Sequence, residues 1–211
     1  MITRLVGRAG ELHARPFPDP VSRAVWVLDV ERPALVLGST QPDTVVDGAR
    51  ARATGVDVAR RRSGGGAVLL VPGEHLWIDV VLPRDDRLWH DDVGRAGWWL
   101  GDVWAGAIGG DAEVHHGPLR RDRWSDLVCF AGLGPGEVTV GGRKVVGISQ
   151  RRTRAGARFQ CVALAAWDPR PLLDLLAVDG DDDALVAVAA GAGPLTPLRA
   201  ALLDGLREVL E

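Results

Sequence analysis

RRSGGGAVLLVPGEHLWIDVVLP, residues 61–83, is the stretch on which the reading of the fold turns. A glycine loop is followed by the apolar run AVLLV, a Pro-Gly-Glu turn and the apolar run HLWIDVVL. Runs this short, rich in Val, Leu and Ile and punctuated by Gly and Pro, read as strands. Two strands joined by so tight a turn are expected to pair antiparallel, because a parallel pair needs a long crossover. That expectation argues against a doubly wound dinucleotide-binding sheet. It favours an α/β chain of the α+β type, with a mixed, largely antiparallel sheet backed by helices.

The same stretch carries the sharpest chemical signal. Gly64, Gly65 and Gly66 let backbone approach a ligand closely and expose several N–H donors, while Arg61 and Arg62 bring planar forks suited to phosphate or carboxylate. The Gly-Lys-Ser/Thr ending of a P-loop is missing, as is the GxGxxG fingerprint with its following acidic residue. An anionic ligand held by Arg61, Arg62, Ser63, the three glycines and Ala67 is the expectation; a plain flexible turn is the alternative.

Towards the N-terminus, PALVLG at 33–38 reads as a buried strand. After it, Asp43 or Thr44 is placed to cap a helix carrying Val45, Val46 and Ala49, closed by Gly55. Residues 1–32 mix charge, proline and short apolar runs, with ARPFPDP at 14–20 an exposed loop. Towards the C-terminus, Val93, Ala96, Leu100, Val103 and Ala107 predict an amphipathic helix within 89–110, with Trp98, Trp99 and Trp104 completing its packing face. A polar loop at 111–124 precedes three predicted strands: DLVCF at 126–130, EVTVGGRKVVGISQRR at 137–152 with a hairpin at Gly141-Gly142, and ARFQCVALA at 157–165. Residues 168–178, 181–190 and 196–210 read as helices, the last with Thr196 as cap, Pro197 at its first position and Leu198, Leu202, Leu206 and Val209 on one face. DGDDD at 179–183 is a surface loop or helix start.

At 211 residues and 46% apolar, the chain has the material for one core, so 1–211 is expected to be a single domain with 168–211 a helical C-terminal segment. A formal charge of −3 argues against nucleic acid as the partner. The two cysteines, Cys129 and Cys161, lack disulfide-scaffold density, and no apolar stretch is long enough for a membrane span or a leader's h-region. A cytoplasmic protein is expected. Lys144 is the only lysine among 25 basic residues. Where arginine has replaced every other lysine, the survivor is expected to do what arginine cannot, such as placing a compact ammonium beside a reacting phosphate or carbonyl.

Lys144 lies in GRKVVGISQRR at 142–152. Period-two alternation puts it on the same side as Val146 and Ile148, with Val145 and Gly147 opposite, and Gly147 leaves room for a narrow acyl chain. Together, RRSGGGAV at 61–68, WSDLVCF at 124–130 and GRKVVGISQRR resemble the superfamily of lipoate–protein ligase A, octanoyltransferases and biotin–protein ligases over about residues 25–168. The resemblance implies a mixed sheet backed by helices, with Arg62 and the 64–66 loop covering an acyl group and its adenylate. Lys144 would contact the reacting carboxyl and phosphate, and Asp126 would stand at the family's aspartate, with Ser125 replacing the asparagine before it.

Two departures qualify that picture. Phe159-Gln160-Cys161-Val162 stands where the ligases carry a histidine-glycine pair, and a full accessory domain is not accommodated in 168–211. The resemblance implies lipoate or octanoate, ATP and Mg²⁺ as ligands, a lipoyl-domain or glycine-cleavage H-type carrier as partner, and a separate accessory subunit as a further one. A second route is implied by Cys129, fifteen positions before Lys144. In the transferase branch a cysteine so placed accepts octanoate from acyl carrier protein as a thioester, and cationic neighbours favour the thiolate such chemistry needs. A non-catalytic module that binds an acyl group or a carrier is the third alternative. His115 and His116, beside Asp111 and Glu113, are read as solvent-exposed and not as a metal site.

Overall fold

The computed structural model describes residues 1–178 and 183–211. The DGDDD reading, and with it the start of the predicted helix at 181–190, falls mostly outside them. In chain order the elements are β1 (Ile2–Gly7), α1 (Ala9–Ala14), β2 (Ala24–Val30), β3 (Ala34–Leu37), α2 (Gly48–Ala53), β4 (Asp57–Arg60), β5 (Val68–Leu70) and β6 (His75–Pro83). There follow α3 (Trp98–Ile108), β7 (Ala112–Val114), β8 (Val138–Val140), β9 (Arg143–Arg152), β10 (Gly156–Leu164), α4 (Arg170–Leu173), α5 (Asp183–Val186) and α6 (Leu195–Leu210).

Strand alternation builds the layers. On β2 and β6, Val25, Val27, Leu76, Ile78, Val80 and Leu82 face one way and pack against α3 and α6 through Leu100, Trp104, Leu198, Leu202 and Leu206. Trp26, Leu28, Trp77 and Val81 face the other way, against Val36, Val68 and Leu70. The seven-stranded sheet, ordered β1-β2-β6-β10-β9-β8-β7, is thus covered on one face by helices and on the other by a three-stranded sheet, β4-β3-β5. In the large sheet only β1 and β2 pair in parallel; the other neighbours are antiparallel, as a mixed, largely antiparallel fold requires.

Several elements differ from expectation. β5 and β6 do not form a hairpin: β5 pairs with β3, β6 with β2 and β10, and the turn at Pro72-Gly73 carries the chain from one sheet to the other. The helix after β3 is interrupted, because Val46 extends to bridge Leu176; Asp47, not Asp43 or Thr44, then caps α2 by accepting from the Arg50 amide at 2.9 Å. Residues 126–130 make one bridge, Val128 to Ala67, and then a 3-10 turn, so no strand forms there. β1, β2 and β7 arise in stretches left without strands. α3 starts only at Trp98, after Gly94 and Gly97, and α6 starts at Leu195, so Thr196 lies inside it.

Candidate active site

The glycine loop joins β4 to β5 and is built by close approach. A Cβ at Gly38 would collide with the Gly65 carbonyl oxygen, and one at Gly66 with the backbone of Leu127 and Val128. Gly65 also takes φ +96°, a conformation other residues avoid. Arg61 is turned inward and braces the loop from below, donating to the carbonyls of Gly64 (2.7 Å), Gly66 (2.8 Å) and Val36 (3.3 Å). The amides of Gly64, Gly65 and Gly66 donate to no protein acceptor among the described residues. They are a set of free backbone donors of the kind that holds anions. Ala67 ties the loop to the second motif: its amide donates to the Leu127 carbonyl (2.7 Å) and its carbonyl accepts from the Cys129 amide (2.9 Å). Arg62 is exposed and lies outside the cleft lining.

Lys144 reaches the site by a break in alternation. Between β8 and β9 the register passes from Val138↔Val146 to Thr139↔Lys144, leaving Val145 as the extra residue of a β-bulge. The bulge turns Lys144 away from the face that Val146 shares with the helix layer and into the space between the sheets. A Cβ on Gly147 would lie 3.5 Å from Lys144 Cε, so the two share a side and the expectation of opposite sides is corrected. Lys144 is 3% exposed, and its ammonium donates to the carbonyls of Cys129 (3.0 Å) and Gly132 (2.8 Å) and pairs with Glu137 Oε2 (2.7 Å). Glu137 in turn accepts from the amides of Gly134 (2.7 Å) and Ile148 (3.0 Å).

Two cavities meet here. An outer cleft of about 490 Å³ is bounded by the glycine loop, Gln41, Asp126, Lys144 and Ser149. A narrower, mainly apolar inner pocket of about 50 Å³ runs between the sheets past Val68, Leu70, Trp77, Gly147 and Val162 to His13 and Gln160. Cys129, Glu137, Ile148 and Ser149 line both. A polar chain follows the inner pocket: Ser149 Oγ lies 2.9 Å from Ser63 Oγ, Ser63 donates to Gln160 Oε1 (3.3 Å), and Gln160 Nε2 lies 3.0 Å from His13 Nδ1. Beneath it, Arg158 donates to Asp79 (2.6 Å) and to the carbonyls of Leu12, His13 and Arg15, closing the C-terminal end of α1. Burial pushes Asp79 up to about 6, against the lowering pull of Arg158. Burial, with the charges of Arg158 and Arg61, brings His13 down to about 3.

The two thiols differ. Cys129 is half-buried at the junction of the cavities, whereas Cys161 packs into the helix-side core, where burial and then the Asp79 charge push its thiol well up. Asp126 is at the cleft mouth, 2.9 Å from Arg121. His115 is buried, not exposed, with Nε2 2.9 Å from the Pro118 carbonyl, while His116 is exposed and stacks edge-on with Trp98. Glu137, Ser149, Gln160 and His13 belong to the site without having been singled out in the sequence. Glu137 follows a Gly-Pro-Gly turn and opens a strand as many surface residues do; only its nearness to the one lysine hinted at a partner.

The outer cleft, with its free backbone donors, opens past a buried ammonium into a narrow pocket between the two sheets. The sequence profile of the lipoyl protein ligase A/B catalytic domain matches residues 13–202, and the chain belongs to that family. Among solved structures, it resembles a lipoate-protein ligase A bound with ATP, at 19% identity and TM-score 0.74 over 99% of this chain and 84% of that one. It also resembles the bi-partite lipoate protein ligase of Thermoplasma acidophilum, solved with its E2 lipoyl domain, at 18% identity and TM-score 0.70 over 99% and 82%. LipL1 of P. falciparum in complex with lipoate matches at 13% identity and TM-score 0.63, over 100% of this chain and 61% of that one. No curated protein sequence matches significantly. No helix among the described residues is long and apolar enough to cross a membrane.

Proposed function

We propose that this enzyme attaches a lipoyl or octanoyl group to a lysine of a carrier domain, through an acyl-adenylate formed from the acid and ATP. The observation that carries the reading is the meeting of the outer cleft with the inner pocket beside Lys144 and Glu137. The acyl chain lies between the sheets, and its carboxyl emerges at the junction. The nucleotide phosphates lie along the amides of Gly64, Gly65 and Gly66, whose donors are preorganised for anions. Lys144 holds positive charge where the carboxyl and phosphate react, and Glu137 fixes its position.

The cleft also suits Mg²⁺. That ion commonly takes one or two carboxylates and draws its other oxygens from phosphate and water, and Asp126, with a side chain 83% exposed at the cleft mouth, is the residue to hold it. Bound there, the ion would neutralise charge on the departing pyrophosphate. The carrier is a lipoyl domain or a glycine-cleavage H-type protein, in a cytoplasmic setting. Residues 1–211 act as one catalytic domain, and an accessory subunit supplied separately is compatible with this arrangement.

A second route rests on one observation, the position of Cys129 on the walls of both cavities. Its thiolate would attack the thioester of octanoyl-acyl carrier protein, forming an octanoyl-cysteine and releasing the carrier thiol; the acceptor amine would then form the amide and return the cysteine. Cys161, facing the core, has no such role. Intact-mass spectrometry separates the routes. Incubation with lipoate, Mg-ATP and a lipoyl domain yields an acylated acceptor on the adenylate reading, with Cys129→Ser still active. An octanoyl adduct on this chain that Cys129→Ser abolishes establishes the thioester route. Absence of acceptor acylation and of adducts in every mixture overturns acyl attachment by this chain alone and points to a binding module or to a missing accessory subunit.

A further inference from the structure

Gln41 is a neutral side chain set among backbone groups from two distant segments. It lies in the loop between β3 and α2, is 7% exposed and lines the outer cleft. Its Oε1 accepts from the Gly38 amide at 2.9 Å, and its Nε2 donates to the carbonyls of Asp126 (3.0 Å) and Leu127 (3.2 Å). One backbone donor on one side and two backbone acceptors on the other fix which way the amide group points. They also exclude the near relatives of glutamine. A glutamate would satisfy Gly38 but turn a carboxylate oxygen on two carbonyls, and an asparagine is one methylene short of spanning the gap.

The segments it joins are two walls of the cleft. Gly38 seats the glycine loop, since a Cβ there would collide with the Gly65 carbonyl oxygen. Asp126 belongs to the neighbouring wall, with its carboxylate at the mouth beside Arg121. Ala67 ties the far end of the glycine loop to Leu127 and Cys129, and Gln41 is a second tie, from beneath the loop. The backbone of Gln41 is itself held, because Arg60 donates to the carbonyls of both Gly38 and Gln41. The free amides of Gly64, Gly65 and Gly66 therefore stand at a separation from Asp126 that the Gln41 amide group helps to set.

We infer that Gln41 is a positioning residue for the nucleotide, holding the glycine-loop amides and the Asp126 carboxylate at the fixed separation that lets phosphate and its divalent cation be received together. The inference rests on the acyl-adenylate reading and adds to it the residue that joins the two halves of the nucleotide site. Calorimetric titration of the full chain with ATP, once in Mg²⁺ and once in EDTA, and separately with lipoate and with octanoate tests it. The acids serve as the control, because Gln41 is not in the lining of the inner pocket.

In Gln41→Leu, affinity for Mg-ATP is expected to fall about tenfold, since groups that must be ordered on binding lose the advantage of preorganisation. The gain in ATP affinity that Mg²⁺ brings to the unaltered chain should shrink with it, while affinity for the acids stays within about twofold, as for independent sites. A merely structural role would weaken nucleotide and acid in parallel. A Gln41→Leu protein that binds Mg-ATP as the unaltered chain does overturns the inference, and so does one that loses nucleotide and acid alike. Should Gln41→Leu not fold, Gln41→Asn, which keeps the amide group but shortens its reach, is judged by the same two criteria. If the unaltered chain binds the acids but no ATP, the adenylate reading itself fails, and the inference with it.

Discussion

Lys144 directs its three N–H groups at two carbonyls and the Glu137 carboxylate, so its position depends on Glu137 as much as on its own strand. Glu137→Gln leaves a buried ammonium without its counter-ion and turns an amide group towards backbone N–H donors. We expect a loss of about 3 kcal/mol in urea denaturation, the cost typical of breaking a buried pair, together with a drop in acyl transfer. The glycines separate in the same assay. Gly38→Ala forces the glycine loop away from β3 and should lower stability by about 2 kcal/mol or more, whereas Gly64, with open space where a Cβ would stand, should tolerate alanine within about 0.5 kcal/mol. At this scale the sequence disclosed residues that are odd by themselves, a sole lysine and three adjacent glycines. It hid those whose role comes from distant neighbours. His13 meets Gln160 across 147 positions, and nothing in ELHARP announces that contact.

The β8–β9 hairpin was legible because its chemistry is local: Gly141 and Gly142 take φ +55° and +74°, which a two-residue turn between twisted strands demands. Gly142→Val should cost about 1–2 kcal/mol, read as a lower urea midpoint, because a β-branched residue resists positive φ. The bulge at Val145 was not legible, since it arises from how β8 and β9 align and not from any residue in β9 alone. The pairing of β5 was missed for a related reason. Two runs joined by Pro72-Gly73 satisfy every local rule for a hairpin, but β5 has a better partner in β3, more than thirty positions upstream of its first residue. Helix α6 is the opposite case, with Leu198, Leu202 and Leu206 of its apolar stripe written in the sequence and buried as expected, while Val209 stays half-exposed outside the core. Leu202→Ala should open a cavity under the large sheet and cost about 2–5 kcal/mol.

Across the whole molecule, His13 and Asp79 pull the acid response of stability in opposite directions. Between about 6.5 and about 3 the unfolded chain protonates His13 while the folded chain does not, so this residue lowers stability as pH falls. Asp79, raised to about 6, takes up its proton in the folded chain first and so adds stability as pH falls from about 6 towards 3.8. His13→Phe isolates the first effect. Relative to the unaltered chain, its stability should rise by about 2 kcal/mol between pH 7 and pH 5 in parallel urea titrations. Lys144 has a consequence at this scale too. On the proposed reading the enzyme hands a reactive acyl group to a carrier lysine, yet its own single lysine is 3% exposed, with its ammonium held by Cys129, Gly132 and Glu137 at the wall of the cleft. Its exterior presents guanidinium groups where other proteins present amines, and guanidinium is not acylated at neutral pH. An activated acyl group that escapes the cleft would therefore find no lysine amine on the exterior to label.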